Sequence, residues 1–508
     1  MADISAHHCS SQREGWYLNT RQSFFGNALW NLLGAILPLC VGLFAIPFLV
    51  RHLGVERFGL LNLSWLLVGY FSLFDLGIGR ALTRLVAERI AQGQHAALPN
   101  LVSTALVVMR WLGLGAGLLL ALLAPWLAEW MRVSAEIRDE MRLALWIMAL
   151  TLPFVVLSVG WRGVLEAYGR FDLVNWVRIP LGVSIFLAPV VVLFFAEGLV
   201  PVVLSLAVTR LAGWWFTRFL CLRLAPMLVG QRAVDREQLR PLLSFGGWMT
   251  LSNIVGPLMV YADRFLIGGL LSVAAVAYYA TPYEIVTRLW VISGALTGVL
   301  FPLIAGKIAI DRSGAKVLYE RAMKVLFLAM LPVVATLFLF AESGLAWWLN
   351  NDFAANGYFV AQVLLLGVFI NALGQVAITV LHGAGRADWA AKLHLAELPI
   401  YLTVLVYAAG KYGIEGVAIT WFLRVVVDTV VMAVLVERLL ASSYRFVLGL
   451  IGLTSLVMGL LWMAGAVANE WMRLTLLCLL FLPCAILLLQ QLRLLGLETG
   501  KLTASPRT

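Results

Sequence analysis

Asp75, Arg110, Arg210, Asp263, Arg264, Glu284, Arg288, Glu397 and Arg424 each interrupt or border a long apolar run. A charge at the centre of a bilayer costs about 2.5–3.5 kcal/mol on insertion scales, so such residues usually face a partner, a wet cavity or a ligand. Two chemistries fit these types. Arginine's planar fork matches phosphate oxygens in pairs, and Arg210 and Arg110 have no acidic residue one helical turn away, which favours an anionic ligand. A carboxylate such as Asp263, Glu284 or Glu397 at membrane depth can bind a coupling proton or cation. Local partners offer a structural alternative: Arg264 adjoins Asp263, Arg288 follows Glu284 by one turn, Asp428 follows Arg424, and His394 precedes Glu397. Asp75 stands about five residues from a helix end, roughly 7–8 Å deep, and reads either as a polar cap or as a cation site near an inner gate.

The elements that must position these charges follow from composition. The chain has 508 residues, 62% hydrophobic and 13% charged, with mean hydropathy +0.92. No soluble core needs that much apolar surface, and stretches of about 20 residues recur, each able to cross roughly 30 Å of hydrocarbon as a helix. Helices satisfy their own backbone polar groups, which lipid cannot. The pattern predicts an all-α polytopic membrane protein of about 14 transmembrane helices. They fall at residues 26–50, 58–79, 100–125, 143–166, 173–196, 198–220, 242–267, 273–300, 322–341, 358–381, 388–409, 414–436, 446–467 and 473–492. The eighth stretch is longer than one span requires.

A net charge of +10 would suit nucleic acid, but the location of the basic residues decides against it. Arg80, Arg84, Arg89, Arg232, Arg236, Arg240, Lys307, Arg312, Lys316, Arg321 and Lys324 share one side if the N-terminus is cytoplasmic, while the opposite loops carry few cations. This is the positive-inside pattern, with both termini cytoplasmic. The cysteines Cys9, Cys40, Cys221, Cys478 and Cys484 are scattered, so neither a disulfide framework nor a zinc site is expected. The chain has no Gly-Lys-Ser/Thr phosphate loop, and no cofactor is expected.

An internal repeat supplies the architecture. LEAYGRFD at 165–172 matches LHGAGRAD at 381–388, each between the fourth and fifth helix of its half, and Trp30, Pro38 and Arg210 correspond to Trp248, Pro257 and Arg424. The expected organisation is an N-terminal lobe at 1–225, a cytoplasmic linker at 226–241, a C-terminal lobe at 242–440, and two further helices with a tail at 441–508. Two six-helix repeats in parallel orientation are a transporter plan with the substrate site between lobes. No loop approaches the roughly 50 residues of a separate domain.

The stretch NALWNLLGAILPLCVGLFAIPFLVRHLGVERFGLLNLSWLLVGYFSLFDLGIGRALTRLVAE from Asn27 to Glu88, with GRFD at 169–172, WWLNNDF at 347–353 and GAGRAD at 383–388, resembles the Wzx-type polysaccharide-repeat flippases. These belong to the multidrug/oligosaccharidyl-lipid/polysaccharide exporter superfamily. The resemblance implies a two-lobed bundle around a cationic cavity that opens alternately to each membrane face. It further implies an undecaprenyl-pyrophosphate-linked glycan as substrate, moved from the cytoplasmic to the periplasmic leaflet of the bacterial inner membrane. A polysaccharide polymerase and a chain-length regulator would be partners. The family's DLG motif falls on Asp75 to Gly77. On this reading Arg210, Arg424, Arg288, Arg264 and Arg110 bind substrate, and Asp75, Asp263, Glu284 and Glu397 couple ions or gate. The alternatives are a cation-coupled drug exporter, which would favour acidic lobes, and a membrane-embedded polymerase or glycosyltransferase, which would carry catalytic groups on a substantial periplasmic loop.

Overall fold

The computed structural model describes residues 37–67, 77–131, 133–228, 261–440, 444–465 and 469–503. Asp75 lies outside them. Among the described residues the chain is helical throughout and divides into two units, one ending at Leu258 and one beginning at Met259. The first holds α1 (Leu37–Leu67), α2 (Ile78–Ala91), α3 (Leu98–Trp130), α4 (Ala135–Ala167), α5 (Phe171–Leu193) and α6 (Leu199–Leu224). The second holds α7 (261–270), α8 (Val273–Val286), α9 (Trp290–Ile310), α10 (Arg312–Leu339), α11 (Ala341–Trp348), α12 (Asn351–Gly383), α13 (Ala387–Leu439), α14 (Arg445–Gly465) and α15 (Glu470–Thr503).

Ten helices among the described residues are long and apolar enough to cross a membrane. Two of these runs contain a left-handed glycine. Gly413 (φ 62°, ψ −148°) divides the 53 residues of α13, which as one straight helix would measure about 80 Å, far more than a bilayer core. Gly54 (φ 76°) interrupts α1 in the same way. Both breaks fall where the sequence pattern separates spans, between 50 and 58 and between 409 and 414. The long eighth stretch resolves differently: α8 stops at Val286, a 3₁₀ turn runs Thr287–Leu289, and α9 continues to Ile310.

In the first unit α3 and α4 approach closely because small residues line the contact. A Cβ on Gly113 would stand 2.6 Å from Pro153 Cα, and one on Gly117 would stand 2.6 Å from the Ala149 carbonyl oxygen. Leu82, Leu101, Met109, Val156, Val164 and Cys221 complete the core, with the Cys221 thiol donating to the Trp161 carbonyl at 3.0 Å. A polar clasp closes one end. Arg57 of α1 donates to both carboxylate oxygens of Glu140 on α4, at 2.6–3.2 Å, and Glu140 Oε2 accepts the Leu199 N–H that opens α6.

In the second unit α12 is the central helix: 78% of its most apolar stretch is buried, against 11% for α15 and 17% for α14. The apolar side chains that α14 and α15 leave uncovered suit contact with lipid. The turn from α12 to α13 repeats that from α4 to α5. Gly169 (φ 69°) and Gly385 (φ 74°) end the preceding helices, and the N–H groups of Arg170 and Arg386 return to the carbonyls of Leu165 and Leu381. Arg170 then pairs with Asp172 at 2.7 Å, and Arg386 with Asp388 at 3.1 Å.

Candidate functional site

The first unit contains a cationic cavity of about 220 Å³. Arg162 of α4, Arg178 of α5 and Arg210 of α6 line it, with Ser158 and Thr217. The two hydroxyls donate to carbonyls of their own helices, Ser158 to Phe154 and Thr217 to Gly213, both at 2.7 Å. The arginines therefore supply the cavity's charge. Arg162 lies 3.7 Å from Glu166 one turn on, while Arg178 and Arg210 have no hydrogen-bond or ion-pair partner among the described residues. Arg210 also borders a small second cavity with Ser64, Met148 and Thr151. Three guanidinium groups beside one carboxylate hold a surplus of positive charge that a multiply charged oxyanion would neutralise.

The second unit places opposite charges in contact. Asp263 and Arg264 on α7 are both buried. Asp263 accepts from the Tyr279 hydroxyl and from the Arg264 N–H, each at 2.7 Å. The Arg264 guanidinium reaches Glu284 at 3.2 Å and lies over the Tyr283 ring, 4.5 Å from its centroid. Glu284 also meets Arg288 at 3.4 Å, on a much more exposed face. Beside this chain, Glu397, Tyr401, Thr420 and Arg424 line a cavity of about 290 Å³ that is otherwise apolar. Arg424 lies over the Tyr401 ring at 5.3 Å. Both carboxylate oxygens of Glu397 are buried without a hydrogen-bond partner among the described residues.

The structure thus joins Asp263, Arg264, Glu284 and Arg288 in one network and sets Arg424 and Glu397 together beside it. Arg110 stays apart, exposed on α3 next to Trp111. One local pairing read from the sequence gives way to a longer one: His394 meets Asp428 at 3.1 Å and makes no hydrogen bond to Glu397. Sequence reasoning missed Arg162 and Arg178, whose available signal was a position inside an apolar span. It also missed Tyr279, Tyr283 and Tyr401, which carry no charge signal.

This polytopic helical chain has the fold of a known class of transporters. The structure resembles the lipid II flippase MurJ in an inward closed conformation, with TM-score 0.70 and 12% identity over 92% of this chain and 99% of that one. It also resembles an inward-facing multidrug resistance MATE family transporter of the MOP superfamily, with TM-score 0.64 and 16% identity over 82% of this chain and 94% of that one. At these identities the likeness is one of fold. The chain belongs to the family described as polysaccharide biosynthesis protein, whose model matches residues 48–355. It is similar to a Shigella flexneri protein named for O-antigen transport, at 29% identity over 82% of this chain and 98% of the relative. It is also similar to the lipopolysaccharide biosynthesis protein WzxC of Escherichia coli (strain K12), at 22% identity over 84% of each.

Proposed function

We propose that this protein is a secondary transporter that flips undecaprenyl-pyrophosphate-linked oligosaccharide from the cytoplasmic to the periplasmic leaflet of a bacterial inner membrane. The observation that carries the reading is the Arg162, Arg178 and Arg210 cavity, whose surplus charge suits a pyrophosphate. Polar groups moved through hydrocarbon without partners cost several kcal/mol each, and a lined cavity removes most of that barrier. The relatives named for O-antigen transport and lipopolysaccharide biosynthesis support the glycan. The basic segments support cytoplasmic termini. A drug exporter for cations gains nothing from clustered guanidinium groups.

On this reading the lobes span 1–225 and 242–440, joined by a cytoplasmic linker at 226–241, with 441–508 as two added helices and a tail. Arg264, Arg288 and Arg424 belong to the second lobe's share of the substrate path, and Arg110 to a peripheral contact on the first. Asp75, Asp263, Glu284 and Glu397 are the candidates for coupling or gating. A polymerase and a chain-length regulator are the partners that would consume the flipped unit.

The test is purified protein in sealed liposomes carrying a fluorescent undecaprenyl-pyrophosphate oligosaccharide, with an imposed ion gradient. Protein-dependent exposure of glycan to an external glycosidase, without chain growth, is expected. Exposure equal to that of protein-free liposomes would overturn the reading.

A further inference from the structure

We propose that the C-terminal lobe carries a second ligand site, a saccharide-binding pocket where the ends of α10 and α14 meet the starts of α12 and α15. The pocket is a cavity of about 250 Å³, less than the roughly 300–1,000 Å³ of drug-sized sites, and suits a single sugar ring. Its walls combine aromatic faces with a few placed polar atoms, the combination that a ring with apolar C–H faces and equatorial hydroxyls requires.

Trp462 is the platform. Its indole is held edge-on by Phe359, with centroids 5.7 Å apart and planes at 90°, and packs against the Phe338 ring tilted at 55° with centroids 5.8 Å apart, yet 46% of the residue remains exposed. Tyr358 adds a second partly exposed ring. The polar atoms divide into those that build the wall and those left to a ligand. Arg473 donates to the carbonyls of Leu339 at 3.1 Å and Gly465 at 2.9 Å, so both ends of its fork are used in tying α10 and α14 together. Gln362 donates to the Phe338 carbonyl at 3.1 Å, which leaves its own amide oxygen as an acceptor. Glu342 is exposed and makes no ion pair among the described residues, so its carboxylate is a second acceptor for hydroxyl donors.

The charge balance selects the ligand class. The pocket holds one carboxylate and one guanidinium whose terminal nitrogens are engaged, so it has little to offer a phosphate, whereas neutral hydroxyls suit its acceptors. This contrasts with the arginine cavity of the first unit. The assignment rests on the flippase reading for its meaning: with cytoplasmic termini, the pocket opens at the periplasmic end, where a translocated glycan would arrive.

The test is saturation-transfer NMR on the full-length protein in nanodiscs, using methyl glycosides of glucose, galactose, rhamnose and N-acetylglucosamine as probes. A Cβ at position 465 would stand 3.4 Å from Phe338 and 3.9 Å from Gln362 Nε2, so Gly465→Val fills the pocket. Glu342→Gln removes the exposed carboxylate's charge and needs no repacking. At least one glycoside should receive saturation from wild type, and both variants should reduce that signal to the level of empty nanodiscs. Transfer that persists in both variants, transfer to no glycoside, or displacement by glycerol phosphate in place of glycosides would overturn the pocket, the last in favour of a lipid headgroup. Glycan exposure in the liposome assay with glycoside binding independent of this pocket would sink the pocket alone. Binding here without any exposure would sink the flippase reading alone.

Discussion

Glu284 serves two arginines at once: its Oε1 lies 3.2 Å from the buried Arg264 and its Oε2 lies 3.4 Å from the half-exposed Arg288. The two bonds are unequal. Arg264 is 4% exposed and depends on its carboxylates, whereas Arg288 can turn to water or headgroups. Glu284→Gln should therefore cost about 1.5–3 kcal/mol, the range of a hydrogen bond to a charged group, and lower the thermal midpoint of detergent-purified protein. Arg288→Ala should cost at most about 1 kcal/mol, as exposed pairs do. Exchanging Glu284 and Arg288 should fail to restore the midpoint, because the exchange brings a guanidinium against Arg264. Full recovery would show that Arg264 does not rely on position 284.

Arg210 separates function from stability. It borders two cavities and has no carboxylate partner among the described residues, while Arg162 and Arg178 share its larger cavity. Arg210→Ala should abolish glycan exposure in sealed liposomes while leaving the thermal midpoint unchanged or higher, since one of three neighbouring like charges is removed. Arg210→Lys keeps the charge without the fork and should recover activity only in part. Loss of activity accompanied by a fall in the midpoint would instead make Arg210 a structural residue.

The paired turns at Gly169 and Gly385 give a third expectation. Each glycine has positive φ, and an added Cβ at either would meet nothing within 4 Å, so any cost of substitution is one of backbone conformation. Gly169→Ala and Gly385→Ala should each destabilise by about 1 kcal/mol or more. Asparagine, which tolerates the left-handed region, should recover much of that loss. Equal midpoints for the alanine and asparagine variants would remove the backbone explanation.

These turns were legible in the sequence because they are local. Gly, Arg and Asp within four residues encode a helix stop, a return hydrogen bond and an ion pair without help from distant chain. The breaks at Gly54 and Gly413 were legible for the same reason, as short polar gaps between apolar runs. The arginine cavity was not. Arg162, Arg178 and Arg210 lie on three helices, and only packing brings them together. His394 illustrates the limit further, since spacing along its helix suggested Glu397 as a partner and the fold supplied Asp428 from the segment turned back across Gly413.

Glu397 carries the last expectation. Its carboxylate oxygens are buried without hydrogen bonds among the described residues, in a cavity shared with Tyr401 and Arg424 and close to the His394–Asp428 pair. An ionised carboxylate left unsatisfied in such surroundings costs several kcal/mol, so a bound proton or cation would stabilise it. Glutamine reproduces the shape of a protonated glutamate and cannot release the proton. Glu397→Gln should keep the protein folded and allow glycan to equilibrate between leaflets, while removing the response of glycan exposure to an imposed pH or sodium gradient. The comparison is made in the same sealed liposomes, with and without the gradient, for wild type and variant. A gradient response retained by the variant would move coupling to Asp263, Glu284 or Asp75, and Glu397 would then be a buried acid without a part in transport.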